Sequence, residues 1–278
     1  MTACTVHGID FTSAPTPRKP ITIASGTLAP GVFRLKAMME LRTFVEFESW
    51  LERPGPWIGG FDFPFGLPRQ AVRDLGWPST WPGLVRHCAA LGREAFRACL
   101  DAYRAARPTG DKYPYRRGDR AAGSHSPIKL VNPPVALMFL EGAPRLLAAG
   151  VHVPALNRAD RNRVAIEAYP GFAVRRLFES RVRLSYKNDA RAKQTVAQSL
   201  MRTEIVRRIC AADSPFVMRL SVTRRQREAL IDDGSGDRLD AVLCALQAAW
   251  AWRRRNADYG LPPHLDPLEG WIATVPSA

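Results

Sequence analysis

Two aspartates stand at the ends of apolar segments, where a carboxylate is available for chemistry. Asp10 ends the run from Cys4, whose β-rich pattern predicts a strand, and Asp62 is the only charged residue between Trp57 and Phe65. A carboxylate buried in such a strand is costly unless it is paired, hydrogen-bonded or bound to a cation. The structural alternatives are a turn that starts at Asp10 and backbone amides that solvate Asp62 at the end of its strand.

A second pair of aspartates opens the most apolar helix of the sequence, which we predict from Asp237 to Trp252. Asp237 and Asp240 are three residues apart and therefore lie on one face of this helix. An acid after Gly-Ser-Gly is a good N-terminal cap, which gives Asp237 a structural interpretation. This interpretation does not apply to Asp240. The apolar run that follows it, Ala241 to Leu246, predicts that the face of the helix that carries Asp240 lies toward the core. Two inward-facing carboxylates raise each other's free energy unless a cation neutralises them.

Together, Asp10, Asp62, Asp237 and Asp240 make a candidate metal site of oxygen ligands. Such ligands suit Mg²⁺ or Mn²⁺ and not zinc. Two of these ions about 3.5–4 Å apart can clamp the attacking and leaving oxygens of a phosphodiester. The five cysteines have no CxxC spacing and no histidine is paired with a nucleophile. The sequence therefore does not favour a disulfide framework, a zinc site or a triad hydrolase.

The net charge of +14 predicts a polyanionic partner, and we expect nucleic acid. Residues 158–227 contain 17 Lys and Arg against 6 Asp and Glu, so +11 of the net charge lies in one quarter of the chain. A bias toward arginine in composition is the alternative explanation, since Arg outnumbers Lys 34 to 6. If the segment contacts phosphates, its candidate substrate-binding residues are Arg175, Arg176, Arg207 and Arg208.

The elements that must position these residues form an α/β pattern. We predict three strands within residues 4–36, a helix over 39–52, a strand over 57–63, a strand over 163–169 and helices from there to 252, with a last edge strand over 271–275. Between the fourth and fifth strands, residues 68–155 have the pattern of a helical insertion that contains a polar loop over 107–127. We therefore expect one domain, 1–278, that includes this insertion.

The longest apolar runs fall short of the ~18–20 residues that a membrane span needs. The first residues, Met1 to Thr5, lack the basic and apolar regions of a signal peptide. We therefore expect a cytoplasmic protein with no membrane partner.

Four motifs, GIDFTSAP, GGFDFPFGLP, IEAYPG and GDRLDAVLCALQAAW, carry a resemblance that spans residues 4 to 252. In this order they resemble a bacterial and archaeal family of predicted nucleases, domain of unknown function 429, in the ribonuclease H-like superfamily. The stretch DRLDAVLCAL is also similar to the last catalytic helix of Holliday-junction resolvases, which carry Glu where Asp62 stands here.

This resemblance implies a mixed five-stranded sheet with flanking helices, in which the first and fourth strands are central neighbours. It further implies metal-dependent phosphodiester hydrolysis, with Mg²⁺ or Mn²⁺ on Asp10, Asp62 and Asp240 and with Asp237 completing or orienting the shell. Glu167 is either a peripheral ligand or a structural residue at the Tyr169 turn. An actin-like ATPase or phosphotransferase and a non-catalytic nucleic-acid-binding module are the alternatives.

Overall fold

A mixed sheet of seven strands forms the centre of the protein, for which a computed structural model describes residues 4–211, 216 and 218–276. The strands are Thr5–Asp10 (β1), Ile21–Ala29 (β2), Val32–Leu41 (β3), Trp57–Phe61 (β4), Val151–His152 (β5), Asp160–Glu167 (β6) and Arg219–Ser221 (β7). Their order across the sheet is β5-β6-β4-β1-β2-β3-β7. The strand β2 is antiparallel to both of its neighbours, and all other neighbouring pairs are parallel.

Helices cover both faces of this sheet, and each face has its own apolar core. The α-helices are Phe44–Leu51 (α1), Arg69–Asp74 (α2), Trp81–Ala105 (α3), Arg117–Ala122 (α4), Val135–Ala148 (α5), Pro170–Leu177 (α6), Val196–Cys210 (α7), Arg224–Asp232 (α8) and Asp237–Arg253 (α9). Apolar side chains of α1, α2, α3 and α5 form the core on one face, and those of α6 to α9 form the core on the other. The expected α/β class is confirmed.

The prediction of five strands was wrong, because two short strands extend the sheet at its edges. The strands β5 and β7 have two and three residues, too few to show an alternating pattern in sequence. The predicted strand over 271–275 is also wrong, since its contact with the sheet is a single bridge between Ile272 and Glu167.

Three predicted element boundaries were wrong for local reasons. The residues Met39 to Leu41 belong to β3 because they pair with β2, and α1 begins only after its cap, Thr43. The sequence also predicts a helix from Asp189 to Cys210, but α7 begins only at Val196, behind the capping box of Thr195. The polar loop over 107–127 contains the short helix α4.

The central strands β1 and β4 are parallel neighbours, as the family resemblance implied. Their register pairs Ile9 with Phe61, so Asp10 and Asp62 follow at equivalent positions at the carboxyl edge. Side chains alternate along a strand. Asp10 therefore shares a face with Val6 and Gly8, and this is the face that α9 covers.

Two glycines allow α9 to lie directly on the backbone of this face. A Cβ atom on Gly8 would lie 2.0 Å from the Ala241 carbonyl oxygen, and one on Gly60 would lie 2.4 Å from that of Cys244. No side chain can be inserted at either contact without displacing the helix. The glycines thus fix the distance between α9 and the ends of β1 and β4.

No helix in the described residues is both long enough and apolar enough to cross a bilayer.

We predict that Gly8→Ala lowers the free energy of unfolding by about 1–3 kcal/mol or more, because the added methyl group overpacks the contact with α9. The matched control is Gly118→Ala in α4, where the new Cβ would meet its nearest neighbour, the Trp271 ring, at an ordinary 3.4 Å. Urea unfolding of both variants measures the difference. Equal stability of the two variants would contradict the close packing of α9.

Candidate metal centre

Three of the four predicted aspartates meet at one point. Asp10 ends β1, Asp62 follows β4, and Asp240 lies in the first turn of α9. Each offers one carboxylate oxygen, and these three oxygens all lie within 4.8 Å of one another. Asp240 and Asp10 are buried, whereas Asp62 is half-buried. We call these three residues the acidic triad.

The carboxylate of Asp240 is already bound by a phenol and an ammonium group. Tyr186 donates its hydroxyl to Oδ1 at 2.6 Å, and Lys187 Nζ contacts Oδ2. Both residues lie in the irregular segment between α6 and α7, 53 and 54 residues before Asp240 in the chain. Sequence reasoning missed them, since no motif or spacing links this segment to α9.

The fourth aspartate, Asp237, is paired with a lysine. Its Oδ1 accepts from Lys19 Nζ at 2.7 Å, and the same ammonium donates to Asp189 at 2.8 Å. Among the described residues, Asp237 does not belong to the group of three close ligand oxygens. Its predicted role as helix cap is wrong, because Gly236 is the N-cap residue and has a positive φ of 76°.

Burial and mutual repulsion raise the pKa values of all three carboxyl groups. Burial raises the pKa of Asp10 well above its usual range; Asp237, Asp240 and Asp62 raise it further, and Lys187 opposes them. Burial, followed by the charge of Asp240, raises the pKa of Asp62 to about 7. Burial likewise raises the pKa of Asp240, against the ammonium of Lys187. The site thus has less positive charge than three carboxylates need, a deficit that a divalent cation would fill.

The positive end of a helix also points at the triad. The helix α9 runs from Asp240 at the carboxyl edge of the sheet back along β1, with Ala241 and Ala245 over Gly8. Its N-terminal turn therefore adds a favourable dipole to the site. This effect is local and does not replace a counterion.

Glu167 has a structural position rather than one in the triad. Its oxygens accept from Arg116 at 2.5 and 2.8 Å and from the Phe65 amide at 2.9 Å. Arg116 also binds Asp119 at 2.7 Å, and both of these residues are fully buried. The polar loop predicted over 107–127 thus contains two charged residues that lie in the interior, where their charges compensate each other.

A cavity of about 640 Å³ opens beside the triad. Asp10 and Asp62 line it, and its other walls combine apolar side chains from the start of α5 with polar and cationic ones. The polar and charged residues of these other walls are Thr12, Ser13, Arg18, Lys19, Arg116, Asp119, Ser124, His125, Glu167, Tyr169, Arg183, Lys187 and Asp189. This volume is in the range of pockets that hold a small ligand or one unit of a polymer.

The four arginines predicted to bind substrate lie away from this cavity wall. Arg207 and Arg208 both bind Glu204, at 2.6 and 2.8 Å, on α7. Arg175 and Arg176 flank the Phe172 ring on α6. Contact of these residues with nucleic acid stays a prediction.

We predict that the metal-free protein loses stability as the pH rises from about 4 to about 7. Asp62 has a pKa of about 7 in the folded protein and an ordinary value of 3.8. The folded state therefore holds a proton that the unfolded state has released, so each step in pH across this window favours unfolding. The variant Asp62→Asn lacks this titration.

Melting temperatures of both proteins in EDTA between pH 4 and 8 measure this effect. We expect the stability of Asp62→Asn relative to the native sequence to increase with pH. A difference that is the same at every pH would show that Asp62 does not titrate in this window.

One family model, described as "Protein of unknown function (DUF429)", matches residues 8–264. No match was found among curated proteins or among solved structures. The matched range contains all three residues of the acidic triad and all four sequence motifs. The chain therefore belongs to the DUF429 family.

Proposed function

We propose that this protein is a metal-dependent nuclease that hydrolyses phosphodiester bonds of nucleic acid. The observation that carries the proposal is the acidic triad, whose three carboxylate oxygens lie within 4.8 Å of one another in a chain of net charge +14. A buried acidic group in a basic protein is costly unless it has a cationic ligand. The basic surface supplies the attraction for a polyanion that the triad itself would repel.

The order of the central strands supports a ribonuclease H-like fold. An antiparallel meander of β1, β2 and β3 is followed by β4 parallel to β1 and β6 parallel to β4. This arrangement agrees with the adjacency of the first and fourth strands that the family resemblance implies. The edge strands β5 and β7 are additions to that pattern.

The residues of the triad fit a hard divalent cation. All of the ligand atoms are carboxylate oxygens, the type that Mg²⁺ and Mn²⁺ prefer. The Lys187 ammonium contacts Asp240, so this position already attracts a cation. We assign Asp10, Asp62 and Asp240 as ligands. Asp237 is the residue that would complete or orient the shell, and it now binds Lys19.

Bound at the triad, one or two such ions would activate water and stabilise charge on the phosphoryl oxygens. The chain's own groups prepare the site. Tyr186 holds the Asp240 carboxylate in place through its hydroxyl. Lys187 lines the cavity while its ammonium contacts Asp240, so it is the cation of the site that would meet a substrate phosphate. Lys19 binds Asp237, the acid whose charge adds to the repulsion on Asp10.

We predict that Asp240→Asn abolishes cleavage of nucleic acid in Mg²⁺ or Mn²⁺, because it removes one charge from the ligand set and keeps the size of the side chain. Binding of nucleic acid should survive or tighten, since the repulsion of phosphate falls. The control is Asp233→Asn, which precedes the same helix and accepts from the Arg238 amide outside the triad. Cleavage assays and melting temperatures are measured on the same preparations.

Divalent metal should also raise the melting temperature of the native protein and of Asp233→Asn, following RT ln(1 + [L]/Kd), and raise that of Asp240→Asn much less. Normal cleavage by Asp240→Asn, or melting that is indifferent to millimolar metal, would contradict the nuclease proposal. Metal-independent binding that Asp240→Asn leaves unchanged would favour a non-catalytic module. Heat released on addition of ATP would favour a phosphotransferase.

We predict that binding of nucleic acid weakens steeply with salt. Each duplex phosphate that a Lys or Arg side chain neutralises should contribute about 0.9 to the magnitude of the slope of log K against log salt. Joint substitution of Arg175, Arg176, Arg207 and Arg208 by Gln should flatten this slope if these side chains contact phosphates. Fluorescence anisotropy at several salt concentrations measures it. An unchanged slope would show that these residues face away from the nucleic acid.

A further inference from the structure

Three nitrogen-bearing side chains, two of them on the cavity wall, form a group around His125 that contains no carboxylate. Arg183 Nη1 lies 3.0 Å from His125 Nε2, and Lys129 Nζ lies 3.4 Å from His125 Nδ1. In the described part of the chain, no hydrogen bond or ion pair joins any of the three to an acid. Most of the other cations around this cavity differ: Lys19, Lys187 and Arg116 each bind a carboxylate.

His125 cannot accept a hydrogen bond from both of its cationic neighbours, of which Lys129 also donates to the Asn132 carbonyl oxygen at 2.6 Å. A neutral imidazole has one acceptor nitrogen and one N–H donor. The guanidinium and ammonium groups only donate, so His125 can accept from one of them while its N–H faces the other. Burial, together with the charges of Lys129 and Arg183, lowers the pKa of His125, so protonation does not relieve the contact. An anion that accepts from all three side chains would.

This group faces the same cavity as the acidic triad. His125 and Arg183 line the cavity together with Asp10 and Asp62. Arg183 is close enough to Asp62 to lower its pKa, against the larger effect of burial. Burial raises the pKa of Tyr169, which also lies on the wall; the charge of Arg183 lowers this pKa and that of Asp62 raises it. A ligand in the cavity therefore meets both the carboxylates of the triad and the contact between Arg183 and His125, which includes no carboxylate.

We propose that Arg183, His125 and Lys129 form an anion site for a phosphate group. The fork of an arginine suits phosphate oxygens, and an adjacent lysine adds a second charge. The identity of the anion rests on the proposed nuclease function: it is a phosphate of the nucleic-acid chain next to the bond that is cleaved. The site orients the substrate and offsets part of its negative charge beside the triad. Arg183, His125 and Lys129 are thus positioning residues.

Binding of inorganic phosphate in EDTA tests the site without requiring catalysis. Calorimetry or ³¹P NMR of the full chain should show saturable binding that Arg183→Ala weakens at least tenfold. The matched control is Arg224→Ala, which also removes one positive charge; its side chain is 92% exposed and binds Glu228 on α8. We expect the control to change the dissociation constant less than twofold. Absence of saturable binding, or equal effects of the two variants, would overturn the proposal.

A second arm distinguishes a nucleic-acid phosphate from a free one. In EDTA, phosphate should displace a single-stranded oligonucleotide from the native protein. Arg183→Ala should weaken the binding of the oligonucleotide more than Arg224→Ala does. Oligonucleotide binding that is insensitive to both phosphate and Arg183→Ala would overturn the assignment of the anion as a substrate phosphate. Repeating the phosphate titration with Asp240→Asn separates this inference from the nuclease proposal: the anion site predicts unimpaired binding in that variant even if no nucleic acid is ever cleaved.

Discussion

The direct packing of α9 on the backbone of β1 and β4 is the constraint on which the candidate site depends. Gly8 and Gly60 leave no side chain between helix and sheet, so the first turn of α9 reaches the strand ends. Asp240 thereby meets Asp10 and Asp62, which the alternation of the strands has turned toward the same face. The buried surroundings of α9 agree with this position, since most of its residues are fully enclosed.

The acids of this region are balanced by cations that come from distant parts of the chain. Lys19, from the loop after β1, binds Asp237, and Lys187, from the segment before α7, binds Asp240. Even so, burial and mutual repulsion keep the pKa values of the triad raised. A site with this charge deficit is suited to taking up a cation, and a protein of net charge +14 is suited to bringing it a polyanion.

A second polar cluster, whose charges are paired with one another, lines the cavity beside the triad. Arg116 joins Asp119 and Glu167 in the interior and ties the loop before α4 to the end of β6. Because the charges in this cluster are paired with one another, they are held rigidly and do not compete for a ligand. Arg183 and His125 on the same wall differ from this cluster, because they contact each other and no carboxylate.

By itself, the sequence determined the features that follow from local geometry. A β-rich run and a continuous apolar run identified the strands that lead to Asp10 and Asp62, and three-residue spacing put Asp237 and Asp240 on one face of a helix. Four motifs identified the family. Only the tertiary structure decided that Asp237 binds Lys19, 218 residues away, and that Lys187 and Arg183 reach the cavity. The physical reason is that side-chain pairing across such separations depends on how the elements pack, whereas the pattern within one element depends on the backbone sterics of a few consecutive residues.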